Sequence, residues 1–278
     1  MPDQVALITG CSSGIGRALA QEAARRGLIV YATARRAETL ADLQGDIHAL
    51  PLDVTDTDSI AAAVAAIRER NGRLDFVVNN AGQSLFGPLA EIPLDRIDGL
   101  LATNVTGQIA VCQAAVPLMA AAGGGCIVNI GSVMGVVTTP YAGAYSASKA
   151  AVHLVSDCLR MELAPLGIRV VEVQPAAVQS QVADNAIGHS DLERYAREDS
   201  LYHSVQPYIE RRARASQDNP MPTDEFAERV WARLLKDPPP DLIREGAGTT
   251  AFRILELLPR AMRDRLFSKR FGLDRLQR

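Results

Sequence analysis

Tyr145 and Lys149 stand four residues apart at the start of an Ala-rich, helix-prone run, with Ser132 a short loop upstream. On a helix, positions i and i+4 share a face, so the Lys149 ammonium is expected beside the Tyr145 phenol. A free tyrosine titrates near about 10, but an adjacent fixed cation favours phenolate and draws the pKa toward the working range. The pair therefore reads as a general acid/base. A Tyr and a Lys on one helical face is also an ordinary solvated surface, so the rest of the chain has to decide.

Short apolar runs alternate along the chain with long Ala-rich segments. The strand candidates are Val5–Thr9, Leu28–Thr33, Ile47–Leu52, Phe76–Asn79, Cys126–Gly131 and Ile168–Gln174, with a short last strand near Asp241–Arg244. The intervening helices are Ile15–Arg26, Ser59–Arg70, Ile97–Ala122 and Ala144–Leu166. Strands apolar throughout, rather than alternating, fit a sheet covered on both faces. The fold class is α/β, a doubly wound parallel sheet of Rossmann type.

The first strand runs into Thr9-Gly10-Cys11-Ser12-Ser13-Gly14-Ile15-Gly16 and then a helix that Gly27 can cap. Glycines permit a tight turn and close backbone approach, so a pyrophosphate can meet the helix N-terminus. Arg35 and Arg36 follow the second strand, where an acid would accept ribose hydroxyls and a guanidinium would hold a 2′-phosphate. This chain has two arginines and no acid there, which favours NADP(H) over NAD(H).

Taken in order, Thr9 to Gly16, Asp53, Asn79-Asn80-Ala81-Gly82, Asn104, Ser132, Tyr145 with Lys149, and Pro175 resemble the short-chain dehydrogenase/reductase family, over residues 5 to 180. The resemblance implies that Tyr145 is the acid/base, Lys149 lowers its pKa and holds the nicotinamide ribose, Ser132 bonds the reacting oxygen, and Asn104 supports a proton relay. It implies cofactor contacts from Gly10, Ser12, Ser13, Gly14, Ile15, Gly16, Arg35, Arg36, Asp53, Val54, Asn80, Ala81, Gly82, Tyr145, Lys149, Pro175, Val178 and Ser180. Each has a bland counterpart: Ser132 can cap a turn, Asn104 can satisfy backbone groups, and Asn79 and Asn80 can brace strands. The family's usual Pro-Gly after the sixth strand is Pro175-Ala176 here, which implies an ordinary φ at Ala176. The glycine turn, the segment from Tyr31 to Arg35 and the C-terminal extension look most like the branch containing 17-beta-hydroxysteroid dehydrogenases, retinol dehydrogenases and acyl-dihydroxyacetone-phosphate reductases.

The function expected is hydride transfer between NADP(H) and a hydrophobic ketone, aldehyde or secondary alcohol of steroid-, retinoid- or lipid-like character. An NAD-dependent enzyme of the same family and a non-catalytic nucleotide-binding or sensing protein are the alternatives. Residues 1–248 are expected to form the catalytic domain, with a substrate lid at about 181–222, and residues 249–278 an extension packed on it. The extension carries eight Arg/Lys against Glu256, Asp264 and Asp274; Ile254, Leu255, Leu258, Met262, Leu266, Phe267 and Phe271 recur near helical spacing, and Pro259 and Gly272 can start and stop one helix. That reads as one basic amphipathic helix, packed on its own domain or a partner subunit, with peripheral membrane contact as the lesser alternative.

Across its 278 residues the chain has a formal net charge of -3, which gives no general electrostatic case for nucleic acid. Four scattered cysteines, no metal-ligand spacing, no leader and no apolar run expected to span a bilayer suggest a cytoplasmic protein. The long helices Ile97–Ala122 and Ala144–Leu166 resemble those that join subunits in the family, so a homodimer or homotetramer is expected.

Overall fold

The computed structural model describes residues 4–179 and 190–276. Seven parallel strands form one sheet in the order β3-β2-β1-β4-β5-β6-β7. They are β1 (Val5–Ile8), β2 (Ile29–Ala34), β3 (Ile47–Pro51), β4 (Phe76–Asn79), β5 (Gly125–Ile130), β6 (Ile168–Pro175) and β7 (Leu242–Glu245). Ala6 in β1 pairs with Val30 in β2 on one side and Phe76 in β4 on the other. Chain order reverses there, and the carboxyl ends of β1 and β4 open a crevice of the kind that holds ligands in such sheets.

Both faces are covered, as the continuous apolar strands require. On one face α1 (Gly14–Arg25) and α7 (Thr223–Leu234) pack together, with Trp231 fully buried and its indole N–H donating to the Leu19 carbonyl at 2.9 Å. On the other lie α2 (Thr57–Asn71), α4 (Gly107–Ala121) and the end of α5 (Gly143–Leu163). Helix α2 starts where Asp56 caps the Asp58 and Ser59 N–H groups at 2.9 and 3.3 Å, and it stops at Gly72, whose φ is 68°.

Two sequence expectations are corrected. The helix read as Ile97–Ala122 is α3 (Leu94–Leu101), a π turn at Ala102–Thr106, and α4, a continuous stretch of 28 residues. By length and composition that stretch could cross a bilayer, although no run was expected to. Val111, Cys112, Ala115, Leu118 and Met119 are packed in the core under the sheet, which is how a sheet-covering helix earns its apolar composition. The C-terminal helix expected between Pro259 and Gly272 is present as α9 (Arg260–Arg270), opened by Pro259 and followed by Gly272 at φ 72°, and a further helix, α8 (Thr249–Leu257), precedes it.

A third apolar cluster roofs the crevice. Phe86, Met134, Tyr141, Tyr195 and Ile209 meet Phe267 and Phe271 from the chain end, and Ile209 is carried by the short helix α6 (Gln206–Arg214).

Candidate active site

Above the carboxyl ends of the strands lies a cavity of about 610 Å³. Its floor at one end is the turn after β1. Gly10 has φ +71°, and a Cβ there would lie 2.8 Å from the Ala81 Cα. Gly16 is tighter still: a Cβ would overlap the Asn80 amide and the Gly10 carbonyl oxygen. The Asn80 amide donates to the Thr9 and Gly10 carbonyls at 2.9 and 3.0 Å, and the N–H groups of Asn80 and Ala81 both reach the Thr9 hydroxyl at 3.0 Å. The loop after β4 thus lashes the glycine turn into shape.

Gly10, Ser12, Ser13, Gly14 and Ile15 line the cavity at the N-terminus of α1, where no acidic residue opposes an anion. Arg35, Asp53, Val54, Asn80, Ala81, Gly82, Pro175 and Val178 line it as well. The Asp53 carboxylate accepts from the Thr55 N–H and hydroxyl at 2.9 and 2.7 Å; these bonds, with the Arg35 charge, hold its pKa below the usual value. Two expected contacts fall elsewhere: Gly16 lies beneath the wall, and Arg36 is exposed away from the cavity lining. Arg36 contributes its carbonyl to the Thr39 hydroxyl, because it opens the turn after β2. Ser180 and residues 181–189 of the expected lid lie outside the described residues.

After β6 the chain is pinned without a glycine. Ala177 bridges to Ala247 and Val178 to Met221, and Gly246, at φ +117°, packs directly on the Ala176 backbone. The glycine that approaches this segment comes from the loop after β7, and Ala176 keeps the ordinary φ expected of it.

At the other end of the cavity stand Ser132, Tyr145 and Lys149. Ser132 caps the turn after β5, its hydroxyl accepting the Met134 N–H at 3.1 Å and also hydrogen-bonding Tyr145. Lys149 is buried, donates to the Ile130 carbonyl at 2.7 Å, and lies 6.0 Å from the centre of the Tyr145 ring. Burial pushes its pKa down to about 8. The Tyr145 phenol is held above its ordinary value, the reverse of the direction expected from the sequence, because burial outweighs what opposes it. Its opponents are the Ser132 bond, the charge of Arg212 and a bond from Ser84.

Asn104 sits in the π turn, fully buried. Its carbonyl oxygen accepts the Gln83 N–H at 2.7 Å, and its amide donates to the Gln83 carbonyl at 2.9 Å and the Ser148 hydroxyl at 3.0 Å. A Cβ on Gly82 would meet Asn104 Oδ1 at 3.3 Å and Lys149 Nζ at 3.7 Å, so the two polar groups flank one glycine. The side chain of Asn104 is thereby committed to holding the loop after β4.

The sequence reading missed Ser84, Phe86 and Arg212, which come from loops and the short helix α6. Arg212 had a legible signal: Ile209, Arg212 and Ala213 fall on one helical face, and all three are buried. Phe252, Leu255, Phe267, Arg270 and Phe271 bring the extension into the same wall.

Residues 4–190 match the short chain dehydrogenase family. The NADPH-dependent 1-acyldihydroxyacetone phosphate reductase of Saccharomyces cerevisiae is 31% identical over 99% of this chain and 93% of its own length. The 3-ketodihydrosphingosine reductase of Bacteroides thetaiotaomicron is 39% identical over 66% of this chain and 68% of its own. A short-chain dehydrogenase from Streptomyces avermitilis superposes with a TM-score of 0.79 at 30% identity, covering 98% of both chains. With its glycine turn, its Ser, Tyr and Lys at one end of the crevice, and these likenesses over nearly its whole length, the chain belongs to the short chain dehydrogenase family.

Proposed function

We propose that this chain is an NADP(H)-dependent reductase of a hydrophobic ketone or aldehyde, working in reverse on a secondary alcohol, with Tyr145 as general acid/base. One observation carries the reading: a single cavity runs from the helix N-terminus and Arg35 to Ser132 and Tyr145, and beyond them to apolar walls of Phe86, Met134, Phe252, Leu255 and Phe267. The two relatives named above act, by their names, on lipid-like ketones, the first with NADPH.

The residues present fit a dinucleotide. The glycine cradle leaves no room for a Cβ, Arg35 suits a 2′-phosphate and Asp53 an amino group, and Lys149 and Tyr145 suit the ribose beside the reacting centre. The nicotinamide, when bound, supplies or accepts the hydride. The protein handles the proton and the charge. The Tyr145 phenol, kept neutral by burial, donates its proton to the oxygen that becomes a hydroxyl, and Ser132 donates a hydrogen bond to the same oxygen. The Lys149 ammonium is fixed by the Ile130 carbonyl, and the buried Arg212 lowers the cost of the phenolate that remains. Association into a homodimer or homotetramer is part of the reading. Leu154 and Met161 on α5 are 72% and 64% exposed, an apolar face of the sort that subunits cover.

The test is a panel of apolar ketones and alcohols with NADPH and NADH. NADPH-dependent reduction is expected. Arg35→Ala should weaken NADPH by about 1.5–3 kcal/mol, the worth of a hydrogen bond to a charged group, and leave NADH nearly unaffected. Equal losses would remove the choice of NADP(H); no oxidation or reduction with either cofactor would favour a nucleotide-binding protein without catalysis. A monomer in light scattering would contradict the assembly.

A further inference from the structure

Helix α6 carries three arginines in one short stretch, Arg211-Arg212-Ala213-Arg214, and the fold treats them unequally. Arg211 and Arg214 are exposed, whereas Arg212 is only 6% exposed and lines the substrate end of the cavity. A guanidinium taken out of water ordinarily brings a carboxylate with it. Among the described residues, no carboxylate lies within ion-pair distance of Arg212. Its Nε donates to the Thr139 hydroxyl at 2.6 Å, its Nη2 reaches the Met134 sulfur at 3.4 Å, and its Cζ stands 4.9 Å from the Phe86 ring centre and 6.0 Å from that of Phe271. One hydroxyl, one thioether and two ring faces orient the fork without neutralising it.

Burial lowers its pKa to about 10, so the charge persists at neutral pH. Tyr145 cannot be the resting counter-ion, since its phenol is held in the neutral form. A second arginine, Arg270 of α9, lines the same end of the cavity, and the one carboxylate among the described lining residues is Asp53, at the cofactor end. The Phe86 ring joins the two chemistries: its centre is 6.1 Å from that of Tyr145 and 4.9 Å from the Arg212 guanidinium carbon.

We infer that the substrate is an anionic ketone, bearing a carboxylate or phosphate ester a few bonds from the reacting carbonyl, and that Arg212, with Arg270 beside it, is the site that binds this anion. The inference rests on the reading of the cavity as a reductase site and names its substrate class. The apolar part of such a molecule would run along Phe252, Leu255 and Phe267, which line the remainder of that end. The fork geometry suits the paired oxygens of either anion, and the charge is already desolvated, so little reorganisation accompanies binding.

The experiment uses the full chain with NADPH and two matched pairs of probes: a γ-oxo fatty acid against its methyl ester, and an acyl-dihydroxyacetone phosphate against the same compound without phosphate. The wild type is expected to favour the anionic member of at least one pair by tenfold or more in kcat/KM, and the pair that shows the preference tells carboxylate from phosphate. Arg212→Gln should collapse that preference about ten- to a hundredfold, chiefly through KM, and Arg212→Lys should restore part of it because the charge returns without the fork. Should Arg212→Gln fail to fold, Arg270→Gln and competition by a plain alkyl phosphate or fatty acid against the neutral ketone read the same site. NADPH-dependent reduction of the neutral probes with no anionic preference and no such competition would overturn this inference while leaving the reductase standing. An equal loss on both members of a pair would assign Arg212 to Tyr145 or to the fold and overturn it too. No NADPH oxidation with any probe would remove both readings together.

Discussion

Ser132 is held through its backbone N–H as well as through its hydroxyl. Its N–H donates to His153 Nε2 at 3.4 Å, which requires that nitrogen to be unprotonated, and the same nitrogen lies 3.1 Å from Glu172. Burial, then the charges of Lys149 and Arg244, push His153 down to about 4, so the acceptor form is the one present at neutral pH. Unfolded, the ring would titrate near about 6.5. Between those values the unfolded chain binds a proton that the folded chain refuses, so stability falls as pH drops from about 6.5 toward about 4 and is unaffected by this group above that window. The full shift corresponds to roughly 3 kcal/mol, partly offset by Glu172, whose raised pKa acts in the opposite sense. Denaturant melts at neutral pH and near the low end of the window should show the loss, and His153→Gln should flatten it. An acid limb of the same size in that variant would remove His153 from the account.

At the scale of elements, the glycine turn and the loop after β4 form one device. Gly16→Ala places a Cβ against the Asn80 amide and the Gly10 carbonyl, so the lash from Asn80 to Thr9 and Gly10 has to give. Overpacking of this kind costs about 1–3 kcal/mol of stability, and the deformed cradle should bind NADPH at least tenfold more weakly. Wild-type affinity by fluorescence titration, in a variant of unchanged thermal midpoint, would contradict it. These local devices were legible in the sequence, because glycine spacing, strand hydrophobicity and the Tyr–Lys pair are set within a few residues of one another. The strands fell within a residue or two of their expected ends for the same reason. What the sequence hid was tertiary: the π turn under Asn104 and the groups that surround Arg212 depend on partners far along the chain. The Lys149 side chain, expected to draw the phenol's pKa down, spends itself on the Ile130 carbonyl, and desolvation sets the direction instead. Arg35 lines the cavity, whereas Arg36, expected beside it, opens the turn after β2 and does not.

Over the whole molecule, the chain end belongs to the apolar end of the cavity. Phe267 and Phe271 pack with Phe86, Met134 and Ile209, and the Tyr141 hydroxyl donates to the Phe271 carbonyl at 3.0 Å across 130 residues of sequence. Ending the chain after Gly248 should therefore spare the glycine cradle and Arg35, keeping measurable NADPH binding, while activity on long apolar ketones falls more than on small ones. A substrate profile identical to the wild type would show that α8 and α9 do not shape the site. The proposed reaction stands on one atom, the Tyr145 hydroxyl, which meets Ser132 and Ser84 in the cavity. The direct measurement is Tyr145→Phe in the full chain, with NADPH affinity and ketone turnover determined on the same preparation. Loss of turnover by about a hundredfold or more with NADPH affinity within about threefold of wild type is the predicted result, since the ring still packs and only the proton is gone. Retention of most of the wild-type rate would contradict the account.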